Sequence, residues 1–246
     1  MTKRTWMKRA WGMGMAASLA MALTGCPPDR PVTVIGAILP LTGVSYDIGL
    51  QEQNGIEIAV DEINGAVTKC ANPVALSMTY VDCKSDANEA VPAFQKLMTD
   101  HAEMLTVLAS TSRISTLVVP EAEEAQVPVI AEATSAPGIT DDRPWAFRMH
   151  STSAQEAQAM AQYWLDSTDI RKVAFFYIND AMGQGAHETF LATFTGGDAQ
   201  VVWDGSYEQT DTDFSAKIAE ALAAHPDACY VLGFIDTTVE LLKQLH

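Results

Sequence analysis

Two short hydroxyl-rich clusters have the residue types to hold a small polar ligand. Ser110, Thr111, Ser112 and Ser115 follow the apolar run Leu105, Val107, Leu108 and Ala109. Thr134 and Ser135, flanked by Ala133 and by Ala136-Pro137, follow Val127, Val129 and Ile130. Hydroxyls donate and accept without carrying charge, and the open backbone N–H groups at a helix start favour an anion. Each apolar run has buried-strand character. Between them Leu117, Val118 and Ala122 keep helical spacing, with Glu121, Glu123 and Glu124 on the wet side. In a parallel sheet both clusters would lie at strand carboxyl ends, where ligands bind. Ser and Thr also cap helices with no ligand present, so capping and ligand contact both stay open for these residues.

Other constellations exclude more than they suggest. Asn179-Asp180-Ala181-Met182-Gly183-Gln184-Gly185 follows an apolar run, but Glu188 stands where a third glycine would complete a dinucleotide fingerprint. Asp180 and Met182 are placed to reach a cleft, or Asp180 to cap a helix. His101, His150, His187, His225 and His246 are scattered, with no metal-binding spacing. There is no G-x-S-x-G elbow and no nucleophile beside its base. The expectation is a non-enzymatic protein without cofactor or metal.

The N-terminus reads as a targeting segment. Lys3, Arg4, Lys8 and Arg9 precede an apolar stretch over 10–23 that is short for a bilayer span. It ends in Leu23-Thr24-Gly25-Cys26, which resembles the bacterial lipoprotein signal. Residues 1–25 are therefore expected to be a cleaved leader, Cys26 a lipid anchor to the membrane, and 26–31 a Pro-rich tether. Cleavage would remove those basic residues and no acidic one, leaving a body more acidic than the −16 of the whole chain. Such a charge disfavours nucleic acid as a partner. An extracytoplasmic location permits disulfides. Cys70 and Cys83 bracket a short loop and strand and are expected to pair; Cys229 sits in an apolar run and reads as a core thiol.

The elements that must position these groups alternate strand and helix throughout. Strands are predicted over 32–39, 74–81, 105–109, 127–130, 145–149, 173–178, 200–207 and 228–234. Helices are predicted near 50–64, 89–101, 117–124, 154–165, 185–194, 212–222 and 237–245. After the first strand, the loop 40–49 offers Thr42, Ser45, Tyr46 and Asp47 to a cleft. This order predicts a doubly wound α/β architecture with mostly parallel sheets. The last helix has no stop signal before His246, and the chain is expected to be a fragment.

Several segments in order resemble one family. They are Gly36-Ala37-Ile38-Leu39-Pro40-Leu41-Thr42-Gly43, Asn54-Gly55-Ile56-Glu57-Ile58-Ala59-Val60-Asp61-Glu62-Ile63-Asn64, Asp86 with Ala90-Val91, Pro120-Glu121-Ala122-Glu123-Glu124-Ala125-Gln126-Val127-Pro128-Val129-Ile130, Ala133-Thr134-Ser135, Phe147-Arg148 and Asp213-Phe214-Ser215. Together they resemble type I periplasmic solute-binding proteins of ABC transporters, of the leucine/isoleucine/valine-binding group. The resemblance implies two α/β lobes, 32–147 and 148–246, closing like a clamshell, with the family's C-terminal part missing. It implies capture of an amino acid or similar small polar solute for ABC permease subunits; a ligand-sensing receptor of the same fold is the alternative. By position it places carboxylate recognition at Ser112 and the backbone of Ser110, and ammonium recognition at Ala133 and Ser135. The side-chain wall falls on Met182 and Phe234, where relatives often carry Tyr.

Overall fold

The computed structural model describes residues 31–67, 69 and 74–246; the expected leader, Cys26 and Cys70 lie outside the described residues. The apolar run of β1 (Val32–Leu39) is buried at its carboxyl half because it is a central strand. It pairs in parallel with β2 (Ala75–Asp82) and β3 (Thr106–Ala109). β4 (Val129–Ala131) and β5 (Ala146–Arg148) extend the sheet, giving the order β2-β1-β3-β4-β5. A separate parallel sheet has the order β7-β6-β8, from β6 (Lys172–Ile178), β7 (Gln200–Tyr207) and β8 (Ala228–Leu232). All pairings within both sheets are parallel, as strand–helix alternation demands.

Helices α1 (Tyr46–Val67), α2 (Ala90–Asp100) and α3 (Ser112–Glu124) serve the five-stranded sheet. One face of that sheet packs on α2 and α3 through Ile38, Phe94, Leu97, Val107, Ile114, Val118 and Val129. The other unit is built from α4 (Ser153–Ser167), α5 (Ala181–Thr193), α6 (Ser215–Ala223) and α7 (Ile235–Leu245). Its sheet has a core on each face. Phe175, Phe190 and Phe194 gather on one, and Phe176, Tyr207 and Phe214 on the other.

The structure corrects several sequence boundaries. α1 runs past Asn64-Gly65 to Val67, because Asn64 is used sideways. Its side chain donates to Leu76 O at 3.0 Å and accepts from Leu76 N at 2.8 Å, tying helix to strand. The apolar positions of α1 are poorly covered: Gly49 is its one buried residue, and Ile63 is exposed. α3 starts at Ser112 rather than 117, so the first hydroxyl cluster is mostly helix. α5 starts at Ala181 rather than 185, with Asp180 as its cap. Neither Asp211 nor Thr212 caps α6; Asp213 Oδ1 accepts from Ser215 N at 3.0 Å. Cys83, whose expected partner Cys70 is not described, is a buried free thiol, and burial pushes its pKa up to about 11. Among the described residues no helix is long and apolar enough to cross a membrane.

Candidate functional site

β3 and β4 are adjacent and parallel, so the two hydroxyl clusters emerge side by side at one sheet edge. Much of their hydrogen-bonding capacity is spent on one another. Ser112 Oγ accepts from Ser135 N at 3.2 Å and Ala136 N at 3.1 Å. Ser115 Oγ donates to Ser110 O at 2.7 Å, and Thr134 Oγ1 donates to Ser115 Oγ at 2.7 Å. Ser110, Ser112, Ser115 and Thr134 are all buried. Arg148, from β5, clamps the second turn by donating to Thr134 O at 2.8 Å and Ala136 O at 2.6 Å. Buried backbone groups need such partners, and these hydroxyls and the guanidinium supply them where the strands stop.

Behind the first cluster lies a pair of acids. Ser110 Oγ donates to Glu52 Oε1 at 2.9 Å. Burial pushes the Glu52 carboxyl up to about 7 against the lowering effect of that bond. Burial, helped by the field of Glu52, pushes Glu132 up to about 7. Glu52 Oε2, Glu132 Oε1 and the Tyr80 hydroxyl are buried without a hydrogen-bond partner among the described residues.

In front of the clusters the two units meet across a crevice. Gln209 Nε2, beyond β7, donates to Ser45 Oγ at 3.0 Å. Ser153 N, at the start of α4, donates to Ser135 O at 2.7 Å. A cavity of only about 10 Å³ remains at the first contact, lined by Pro40, Ser45, Ser85, Thr111, Arg113, Ile114, Gln209 and Phe234. The crevice is thus closed to little more than a water at this point. The loop on its unit-one side is held by Asp82. Its Oδ1 accepts from Leu41 N at 2.9 Å, Thr42 N at 3.2 Å and Lys84 N at 2.7 Å, and its Oδ2 from Thr42 Oγ1 at 2.7 Å. Desolvation raises this carboxyl's pKa, and the hydrogen bonds outweigh it and hold it below the usual range. A more open cavity of about 390 Å³ flanks the crevice, lined by Val44, Thr210, Asp211, Asp236, Thr237 and Glu240 among others.

The sequence-expected residues divide. Phe234 and Ser45 line the crevice. Ser110 and Ser112 sit one layer behind it, bonded as above. Ser135 is buried, and no protein group bonds its hydroxyl among the described residues, while Ala133 is exposed. Met182 packs against the aromatic core of its unit, and its carbonyl accepts from Ser153 Oγ at 2.7 Å. Thr42 bonds Asp82, and Tyr46 and Asp47 are exposed. Sequence reasoning counted Thr111 in the first hydroxyl cluster and passed over Arg113, Ser85 and Gln209. Arg113 had a signal: it is the only charged residue from Leu105 to Pro120.

Asp180 completes the cleft side of the second unit. Its Oδ1 accepts from Gly183 N at 2.9 Å as the α5 cap. Burial raises its pKa, opposed by the Gly183 bond and by the charge of Arg113 across the crevice. The glycines of that turn serve close packing. A Cβ at Gly183 would meet Ile178 O at 1.9 Å, and one at Gly185 would meet Pro137 Cγ at 2.4 Å.

Residues 33–246 match the family model described as periplasmic binding protein. The chain is 28% identical over 233 residues to the Leu/Ile/Val-binding protein BraC3 of Rhizobium johnstonii, covering 94% of this chain and 63% of that protein. A leucine binding protein LivK from Thermotoga maritima superposes with a TM-score of 0.78 at 26% identity, covering 87% of this chain and 59% of that one. A solute binding protein of an ABC transporter from R. palustris, solved with benzoate, gives a TM-score of 0.78 at 22% identity, covering 87% and 59%. The chain therefore spans about three fifths of the length of these proteins.

Proposed function

The chain belongs to the periplasmic binding protein family and has its type I α/β fold, and on that premise we propose that it is an extracytoplasmic substrate-binding lipoprotein of an ABC importer. It captures an amino acid or similar small polar solute between two lobes, 32–147 and 148–246, and presents the closed form to permease subunits. The observation that carries the reading is the crevice itself. Strand carboxyl ends of both parallel sheets face it, and the Gln209–Ser45 bond bridges it. A bond between side chains 164 positions apart at the mouth of a crevice suits a latch that opens and closes by hinge motion. No catalytic step is part of the proposal.

The similar proteins supply two solute classes to try: one is named for leucine, isoleucine and valine, and another holds benzoate. The purified full chain is titrated by calorimetry and thermal shift with amino acids and small carboxylic acids. A solute that binds only the folded form raises the melting temperature by mass action. Solute turnover, or no binding across the panel, would overturn the reading. The lipid anchor is tested separately by growth with a labelled fatty acid. Label on the wild type and none on Cys26→Ala is expected; label retained by the variant removes the anchor from the proposal.

A further inference from the structure

Arg113 is out of keeping with the charges around it. The chain carries 31 Asp+Glu against 15 Lys+Arg, so a basic side chain has acids to choose from. Yet the half-buried Arg113 guanidinium makes no hydrogen bond and no ion pair among the described residues. A guanidinium stays charged at any working pH, and withdrawing such a charge from water without a partner is costly. The residue lines the crevice cavity at the second position of α3, where helix-start amides add positive potential. Thr111, buried beside it on the same cavity, also has a side-chain hydroxyl that bonds no protein group among the described residues.

The surroundings narrow what fits. Among the described residues no acidic side chain lines that cavity. Asp180 lies across the crevice and acts on Arg113 through its field; its Oδ1 caps α5, and its Oδ2 is buried with no hydrogen-bond partner among the described residues. Pro40, Ile114 and Phe234 give the same cavity apolar wall. The larger flanking cavity carries Asp211, Asp236 and Glu240 and would repel an anion. A guanidinium fork matches a carboxylate with two parallel hydrogen bonds.

We propose that Arg113 receives the carboxylate of the solute, with Thr111 beside it, and that the solute class is an organic carboxylate with an apolar body. This rests on the solute-binding reading above and sharpens it. The sequence-derived expectation put carboxylate recognition on Ser112 and the backbone of Ser110; the Ser112 oxygen accepts two backbone bonds, and the Ser110 N–H and carbonyl bond Ile38 O and Ser115 Oγ.

The test uses matched probes on the purified full chain: L-leucine, 4-methylpentanoate, L-leucinamide, benzoate and benzamide. Affinity is measured by calorimetry, and melting is followed without solute. Binding is expected to follow the carboxylate. 4-Methylpentanoate or benzoate binds, and the amide of the bound acid does not. Arg113→Gln should weaken the bound acid about ten- to a hundredfold, the usual worth of a charged hydrogen-bonded contact. It should do so without lowering the solute-free melting temperature, since among the described residues the side chain makes no hydrogen bond or ion pair to lose. Arg113→Lys, which keeps the charge but loses the fork, should recover part of the affinity. An amide binding as tightly as its acid, or Arg113→Gln with unchanged affinity, would overturn the assignment and leave the solute-binding reading standing. Absence of binding by every probe and by the wider panel would remove both.

Discussion

The five-stranded unit ends at the crevice in directional polar bonds, whereas the three-stranded unit is packed behind its wall with aromatic rings. In the first, four buried hydroxyl residues tie two turns together, and Arg148 clamps the second turn from outside. Its core is largely aliphatic, with Phe94 as the one buried ring. In the second, Phe190 lies 5.2 Å from Phe175, 5.2 Å from Phe194, 5.8 Å from Trp164 and 5.1 Å from Tyr230, centroid to centroid. Hydrogen bonds fix angle and distance, so a turn built on them is held to one geometry. Ring packing gains from area and is less demanding of direction. The difference is a division of labour: directional bonds fix the crevice-side turns of the first unit, and packed rings stiffen the second unit behind its wall.

The largest expected effect tests the ring-packed side. Phe190→Ala empties a fully buried position, and such a change costs about 3–5 kcal/mol. Urea unfolding of the purified chain should show the loss. A cost below about 1 kcal/mol would mean that the rings are not what holds this unit. A smaller effect tests the polar side. Ser112→Ala leaves the amides of Ser135 and Ala136 without that acceptor in a buried turn, and an orphaned donor costs about 1–3 kcal/mol. Ser112 is then a positioning residue. Its loss should lower stability, while Arg113→Gln lowers affinity. Ser112→Ala with full stability and lost affinity would return direct ligand contact to the serine and blur the comparison.

The sheets were legible where burial is two-sided. β1 falls on the residues expected and β6 starts only one residue earlier, at Lys172, because apolar runs between turn signals leave little choice. Helix starts were misplaced where small polar residues have two uses. Gly183 read as a turn residue and Gly185 as the helix start, but both lie inside α5, one against Ile178 and the other against Pro137. Asn64-Gly65 read as a stop, but Asn64 bonds β2 and the helix continues. The candidate site was legible only as a place. Strand carboxyl ends locate a crevice, but one sequence does not say which hydroxyl faces inward. Ser110 and Ser112 share the cluster with Thr111 and Arg113, and the start of α3 turns the first pair back into the protein. Gln209 was invisible, since its partner Ser45 belongs to the other unit.

The smallest effect concerns the acids behind the first cluster and asks whether the polar unit is polar at a cost. Glu52 and Glu132 are each raised from 4.5 to about 7, first by burial, with Ser110 lowering the one and Glu52 raising the other. Among the described residues the groups that share this site offer no cation. Tyr80 is itself raised by burial and by Glu57 and Glu132, and Cys83 by burial and by Asp82 and Glu52. A carboxyl whose pKa is higher folded than unfolded binds its proton more tightly in the native state. Its contribution is therefore fully present below about 4.5 and is lost as pH rises through about 7. The full shift corresponds to about 3 kcal/mol as an upper bound, reduced to about 1–2 kcal/mol because both side chains stay partly accessible and relax. Glu132→Gln should thus be near neutral at pH 5 and stabilising by about 1–2 kcal/mol at pH 8. It should also release Glu52 to ionise at lower pH by removing a neighbouring charge. Urea midpoints at the two pH values decide it. A difference between variant and wild type that does not change with pH would show that these carboxyls are solvated after all, and that the five-stranded unit stores no charge penalty behind its turns.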